Sequence, residues 1–551
     1  MKPDQPGKDY TSRAFTLTLG VIVVLLAVAY IPATHIGKVR LKRANIVADL
    51  MEAEESPAPM GDAYFDTTFL AETPIPPEPD TLPPDPGTSA TATWDLPGAT
   101  PADTPTVLTP LPPMPADPAR PTTPADTARM VAIEDFSADG EALAPLFDAL
   151  ADTRLGRPVR IGVLGDSFIE GDIITADLRE KLQNLFGGNG VGFVPLANGV
   201  AKYRETVRQT FSDWETYSLI HYKNTPEQLQ DKFFISGTLC IPGEGATSHI
   251  KGSSFRKHIA RCSTARLLFI NEGHTSIRLT VNDTIDRVFR PEPAPYVQQI
   301  AVSGDIGSVA MTFTDTEGFT GYGVMLEGHD GVTVDNYSLR SNSGLPLLAS
   351  SGRVNSQINR LAPYDLIILQ YGLNVISADV LNYNAYSRSL CRIVDYIRQC
   401  FPDAAILVMS VGDRSTQRDG ELVTMAAVPA MIRAQRAAAD TCGVAFWDTF
   451  RAMGGAGSMV RFVERNWAAK DYTHIGYPAG RFIAGELVRA LLADKQAYEA
   501  KRRAAADSAA RLRAVPDIVP AIFDSAAGHY PPTETGAAGT QATSTESDLR
   551  P

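Results

Sequence analysis

The stretch Val159-Arg-Ile-Gly-Val-Leu-Gly165-Asp166-Ser167-Phe-Ile-Glu-Gly171 decides the fold. Val159, Ile161, Val163 and Leu164 predict a buried strand. Gly165-Asp166-Ser167 ends it, and a helix-period segment follows with Ile174, Leu178, Leu182 and Leu185 on one face, closed by Gly187-Gly188. A serine between a parallel strand and the next helix stands at the carboxyl edge of an α/β sheet, where ligands bind. Gly165 lets the backbone turn sharply and approach a substrate. A plainer reading makes Ser167 a helix cap.

The same rhythm returns downstream. Asp365–Tyr371, Ala404–Val411 and Val444–Trp447 read as strands; Glu141–Leu150, Asp379–Cys400, Leu422–Thr441 and Tyr477–Lys501 read as helices, with Pro429 a candidate kink. This order predicts a doubly wound parallel sheet. Between its first and second parts, residues 196–332 show period-2 runs such as Ser276–Val281 and Ser308–Phe313, broken by Gly, Asp and Asn. They predict an inserted all-β sandwich. No internal repeat is present.

Residues 1–14 are a polar tail. Residues 15–36 contain the uncharged apolar run Phe15–Ala33, long enough to cross a bilayer as a helix. It exceeds a usual signal-peptide core and lacks a small-x-small cleavage site, which favours an uncleaved anchor. Lys38, Arg40, Lys42 and Arg43 after it, against Lys2, Lys8 and Arg13 before it, slightly favour a cytoplasmic C-terminal side. A large following domain can translocate despite that bias. Residues 37–129 are rich in Pro, Thr, Ala and Asp and predict an extended linker. Stretched at ~3.1 Å per residue, its Pro-rich part would reach on the order of 150 Å. The folded part is expected at 130–195 and 333–503, around the insert, and residues 504–551 predict a disordered tail.

The net charge of −13 over 551 residues argues against a nucleic-acid partner. Five scattered cysteines do not make a disulfide framework. Cys240 and Cys262 could pair in an oxidising compartment, or stay free and buried.

A serine nucleophile needs a base. Of eight histidines, His474 alone falls in the α/β part, in Lys470-Asp471-Tyr-Thr-His474-Ile-Gly476 before the last helix. Asp471, three residues upstream, can sit on the far imidazole nitrogen, fixing the tautomer and stabilising the imidazolium. Asn374, in Gly372-Leu373-Asn374 after another strand, can donate to an oxyanion together with the backbone N–H of Ser167; otherwise it is a turn residue. His221, His249, His258, His274 and His329 lack metal-ligand spacing and read as surface or packing residues. Tyr203, Phe211, Trp214, Tyr217 and Tyr222 either pack the insert or, where exposed, stack on sugars.

Gly165-Asp166-Ser167-x-x-x-Gly171, Gly372-x-Asn374 and Asp471-x-x-His474 resemble the first, third and fifth sequence blocks of the SGNH/GDSL hydrolases. The resemblance covers roughly 130–200 and 333–500. It implies a flavodoxin-like three-layer α/β/α domain with Ser167, Asp471 and His474 as catalytic triad and an oxyanion hole from Ser167, a glycine and Asn374. Gly165–Leu196 is similar to the peptidoglycan O-acetylesterase branch, which carries a carbohydrate-binding-like β insert at the same place. Two departures stand out. Where the second block usually offers glycine, Ser341 or Gly344 fills the position, in a register the sequence leaves open, and Val375 replaces an acid after Asn374.

The resemblance implies a serine esterase, without cofactor or metal, that removes O-acetyl groups from a cell-envelope carbohydrate. Its catalytic domain would be periplasmic and anchored in the inner membrane. The alternatives are an SGNH lipase, thioesterase or acetyltransferase, and a catalytically weak glycan-binding scaffold. A scaffold has no need for Ser167, Asp471 and His474 together.

Overall fold

A computed structural model describes residues 91–97 and 130–514, together with 35–36 and 39–40. It divides into two units, one to Tyr498 and one from Glu499. In the first, β1 (Val159–Gly165), β2 (Val332–Ser338), β3 (Leu366–Gln370), β4 (Ala405–Met409) and β5 (Ala445–Trp447) form a parallel sheet in the order β2-β1-β3-β4-β5. A short antiparallel strand, Glu134–Asp135, closes the β5 edge. Every residue of β1, β3, β4 and β5 is buried. A strand covered on both faces is mostly apolar, which is why β1, β3 and β4 read as Val/Ile/Leu-rich runs; the exceptions, Arg160 and Gln370, are buried.

The helices fall into two groups. α2 (Gly352–Leu361) packs on α3 (Asn384–Cys400), and α3 on α4 (Ala427–Cys442). α1 (Thr175–Phe186) is tied to α5 (Tyr477–Ala514) by Arg481, which donates to Asp177 at 2.9 Å. One group on each face is what right-handed crossovers require. The strand order reverses between β1 and β3, so the crevice for a ligand opens at their carboxyl ends.

The β part is one continuous ten-stranded sheet, not two separate sheets. It curls around a single core that includes Ile250, Phe269, Ile277, Ile300, Phe313 and Phe319. Two of its strands lie outside the span 196–332. Gly192–Pro195 pairs with Phe319–Glu327. Thr91–Asp95, inside the stretch read as linker, pairs in parallel with Ala294–Ile306. Its alternation turns Trp94 and Leu96 inward, 9% and 5% exposed, which gives the segment an apolar anchor.

The two sheets meet at a buried ion cluster. Arg160 of β1 pairs with Glu327 of the β part and with Asp335 of β2, and Arg266 also pairs with Glu327, at 2.7 Å. Burial alone would raise the Glu327 carboxyl, but Arg160 and Arg266 together hold it below its ordinary range. Asp335 also accepts from the Phe193 N–H at 2.8 Å and from the Tyr364 hydroxyl at 2.9 Å.

Several expectations change. Pro429 does not kink α4: the helix starts at Ala427, so Pro429 lies in the first turn, where its missing N–H has no intrahelical partner to lose. Leu422 belongs to a β-hairpin, Ser415–Arg418 with Glu421–Thr424, and not to that helix. Helix α5 runs through Ala514, past the expected start of a disordered tail, because its Ala- and Arg-rich end has high helix propensity. Cys240 and Cys262 are buried free thiols, each pushed up to about 12 by burial. The apolar run Phe15–Ala33 lies outside the described residues, among which no helix is long and apolar enough to cross a membrane.

Candidate active site

β1 delivers Ser167. A Cβ on Gly165 would stand 2.8 Å from the Gln370 carbonyl oxygen and 2.7 Å from Ile169 Cδ1, so the close approach of β1 to β3 excludes any side chain there. Asp166 is fully buried, and its Oδ1 accepts the Phe168 N–H at 2.9 Å, fixing the turn. Phe168 and Ile169 are buried as well, and Ser167 is left partly open. Ser167 does not cap α1, which begins only at Thr175.

Beyond Ser167 the chain is pinned by Asp172, a non-glycine residue at φ 67°. Its buried carboxylate accepts from Arg179, Arg204, Thr175 and Thr206. Burial opposes its charge, but the Arg204 and Arg179 guanidinium groups overcome it and hold the carboxyl well below the usual range. Such a paired cluster resists displacement, because moving either partner strands a buried charge.

The loop before α5 delivers His474. The Ala469 N–H donates to the His474 carbonyl at 2.8 Å, and the Gly476 N–H to the Trp467 carbonyl at 2.7 Å. The helix that follows is locked to the serine turn: the Tyr477 hydroxyl donates to the Gly171 carbonyl at 2.6 Å. A Cβ on Gly480 would stand only 1.8 Å from the Ile173 carbonyl oxygen, so backbone meets backbone there.

These constraints bring His474 Nε2 to 3.1 Å from Ser167 Oγ and His474 Nδ1 to 2.7 Å from Asp471 Oδ2. The other Asp471 oxygen accepts the backbone N–H of Thr473 and of His474, at 2.9 and 3.0 Å. Burial works against the Asp471 charge, but the His474 ring bond and the two backbone bonds outweigh it and hold the carboxyl at about 2. Facing a carboxylate, Nδ1 carries the proton, and the Nε2 lone pair is left for the serine hydroxyl.

Asn374 follows β3 through Gly372, whose φ of 118° turns the chain back. Its Nδ2 donates to Asp166 Oδ2 at 3.2 Å and to the Asn342 carbonyl at 3.1 Å. The amide thus sits beside the serine turn with both hydrogens engaged, and one of those bonds must be exchanged when it meets an oxyanion. Ser341 is exposed and left-handed, φ 59°. Gly344 is buried, and its N–H donates to Asn342 Oδ1 at 2.9 Å. That N–H is therefore committed inside the turn.

The sequence reading missed Asp166 and Asn342. Burial pushes Asp166 up to about 7, against the opposing Phe168 bond, His474 charge and Asn374 bond. The available signal was its place between an apolar strand and the candidate nucleophile. Among the remaining histidines, His249 faces Asp283, His258 faces Asn184 and His329 faces Thr264. Among the described residues no group of three or more His, Cys, Asp and Glu side chains is placed to hold a metal ion.

A solved structure of a peptidoglycan O-acetylesterase is similar to this chain over 66% of it and 99% of its own length, with 22% identity and a TM-score of 0.53. A family two carbohydrate esterase from Cellvibrio japonicus matches 53% of this chain and 98% of its own, at 9% identity and a TM-score of 0.22. An acetylxylan esterase from Geobacillus stearothermophilus, solved as a catalytic mutant, matches 29% and 72%, at 17% identity and a TM-score of 0.23. The last two superpose too loosely to bear on the reading. No family model and no curated protein matches the chain.

Proposed function

We propose that this chain, whose fold is that of the SGNH hydrolases, is a serine esterase that removes O-acetyl groups from a cell-envelope carbohydrate, with peptidoglycan as the substrate. The observation that carries the reading is the continuous relay Ser167–His474–Asp471, at 3.1 and 2.7 Å, beside Asn374 at the carboxyl edge of the sheet.

Ser167 Oγ attacks the acetyl carbonyl while His474 Nε2 takes its proton. The tetrahedral oxyanion is held by the Asn374 amide and by the backbone N–H groups of Ser167 and Ser341. His474 then returns the proton to the departing sugar oxygen, which leaves as the hydroxyl. The same imidazole then takes a proton from water, whose oxygen attacks the acetyl-serine; the bond to Ser167 Oγ breaks as His474 returns that proton to it, and acetate is released. Asp471 keeps its charge throughout and holds the ring in the productive tautomer. The choice of peptidoglycan is supported by the likeness to the O-acetylesterase fold across nearly that protein's whole length. Phe15–Ala33 would anchor the chain in the inner membrane, with residues 130–503 in the periplasm.

Acetate release from O-acetylated peptidoglycan tests the reading, with acetylated xylan and a long-chain ester as comparators. Wild type is expected to favour peptidoglycan, and Ser167→Ala to lose turnover by at least about 10⁴-fold with its unfolding transition unchanged. Full activity in that variant removes Ser167 from the mechanism. Preference for the long-chain ester replaces the substrate with a lipid. Protease accessibility in spheroplasts checks the location.

A further inference from the structure

The residues just ahead of the long strand Val207–Ser218 run beside the serine turn. The Tyr203 carbonyl carbon and oxygen lie 3.8 and 3.2 Å from where a Cβ on Gly171 would stand. Tyr203 ends a single helical turn, Ala201–Tyr203. The next residue, Arg204, is 7% exposed and donates to Asp172 Oδ2 at 3.1 Å and to the Phe193 carbonyl at 3.0 Å. The residue after that, Glu205, donates its N–H to the Tyr477 hydroxyl at 3.2 Å, the same hydroxyl that donates to Gly171. The Tyr203 backbone is therefore fixed to both chain segments that deliver the reacting groups, the Ser167 turn and the start of α5.

Its side chain is nevertheless 57% exposed, the most exposed aromatic ring among the described residues. The neighbouring aromatics have packing roles: Trp214 donates its indole N–H to the Thr247 carbonyl and meets Phe313 edge-on, and Tyr222 lies against Phe233. Tyr203 has no ring partner of that kind. Lys202 Nζ lies 4.9 Å from its centroid, on one face. More than half of the residue's surface is exposed.

An exposed ring whose backbone is immobilised, with an ammonium beside it, loses little freedom on gaining a flat partner. The apolar C–H face of a pyranose is such a partner, and the Lys202 ammonium beside it can donate to sugar oxygens or to a carboxylate. We propose that Tyr203 is a stacking platform for a sugar ring adjoining the acetylated one, so that the site takes a stretch of glycan chain and not an isolated acetyl group. This deepens the esterase reading and rests on it for the identity of the neighbouring ring.

The experiment compares wild type, Tyr203→Ala and Tyr203→Phe. One arm takes the ratio of kcat/KM on acetylated glycan oligosaccharides to kcat/KM on p-nitrophenyl acetate. The other measures binding of an N-acetylglucosamine hexasaccharide by NMR titration. The ratio is expected to fall about three- to tenfold in Tyr203→Ala, through KM, and to return in Tyr203→Phe, which keeps the ring. Hexasaccharide affinity should fall and recover in step. An unchanged ratio and affinity in Tyr203→Ala overturn the platform while leaving the esterase standing. Should wild type hydrolyse neither ester, the binding arm alone decides: a Tyr203-dependent affinity upholds the platform, and a Tyr203-independent one overturns it.

Discussion

Gly480→Ala tests whether the seating of α5 on the serine loop sets the catalytic distance. The new Cβ would stand 1.8 Å from the Ile173 carbonyl oxygen, where ordinary contact begins at 3.4 Å, so helix and loop must part by about 1.6 Å. Neither side yields cheaply: one is helix backbone, and the other is a carbonyl next to the ion-paired Asp172. His474 lies six residues before Gly480 on the segment that enters α5, and its 3.1 Å contact with Ser167 has little slack before it ceases to be a hydrogen bond. A misplacement on the order of 1 Å costs roughly 10² in rate, and overpacking costs about 1–3 kcal/mol of stability. The assay is kcat on p-nitrophenyl acetate together with urea unfolding. Gly485→Ala, on the same helix, is the control: its Cβ would meet only Lys181, at 3.7 Å, and should leave kcat alone. If Gly480→Ala keeps kcat within about threefold of wild type while folded, the helix seating does not set the relay distance.

Asp166→Asn should change how stability depends on pH. Folded Asp166 holds its proton up to about 7, while an unfolded aspartate releases it near 3.8. The folded state therefore binds more protons between those values, and stability falls as pH rises from about 4 to about 7, by on the order of 4 kcal/mol. The asparagine variant loses that dependence; urea unfolding at pH 5 and pH 8 with parallel losses in both proteins would rule the buried proton out. The same variant replaces a partner of the Asn374 amide, so kcat should also fall. At the junction of the sheets, Glu327→Gln leaves Arg160, 2% exposed, with Asp335 as its one carboxylate and takes the partner of Arg266, and should cost about 3–5 kcal/mol. A loss under about 1 kcal/mol in urea unfolding would mean the cluster is not what joins them.

What the sequence disclosed tracks where the information sits. β1, β3 and β4 are buried on both faces, so their apolar runs are visible locally. β2 was hidden because Asp335 and Asn336 lie at its centre, and their partners, Arg160 and Tyr364 for the first and Ile169 and Thr175 for the second, come from distant segments. Thr91–Asp95 was hidden by its brevity among prolines; two inward residues are too few to set a period. Ser167, Asp471 and His474 were visible as a residue type, a spacing and a lone histidine. Ser341 and Gly344 were not separable, since a backbone donor leaves no mark on side-chain identity. In the structure they differ: the Gly344 N–H is bonded to Asn342, and Ser341 is exposed.

The ion cluster between the sheets bears on how the β part can be manipulated. A module hung on a flexible tether can be cut away and its host assayed alone. Here excision of residues 196–332 would take Glu327, with its own partner Arg266, from Arg160, and Arg204 and Thr206 from Asp172, leaving each of these buried ions with a single opposite charge, Asp335 and Arg179. Inactivity of such a truncation would report collapse and not a lost sugar contact. Genes that shuffle these parts must exchange both halves together, because the chain has no seam here along which it can be divided.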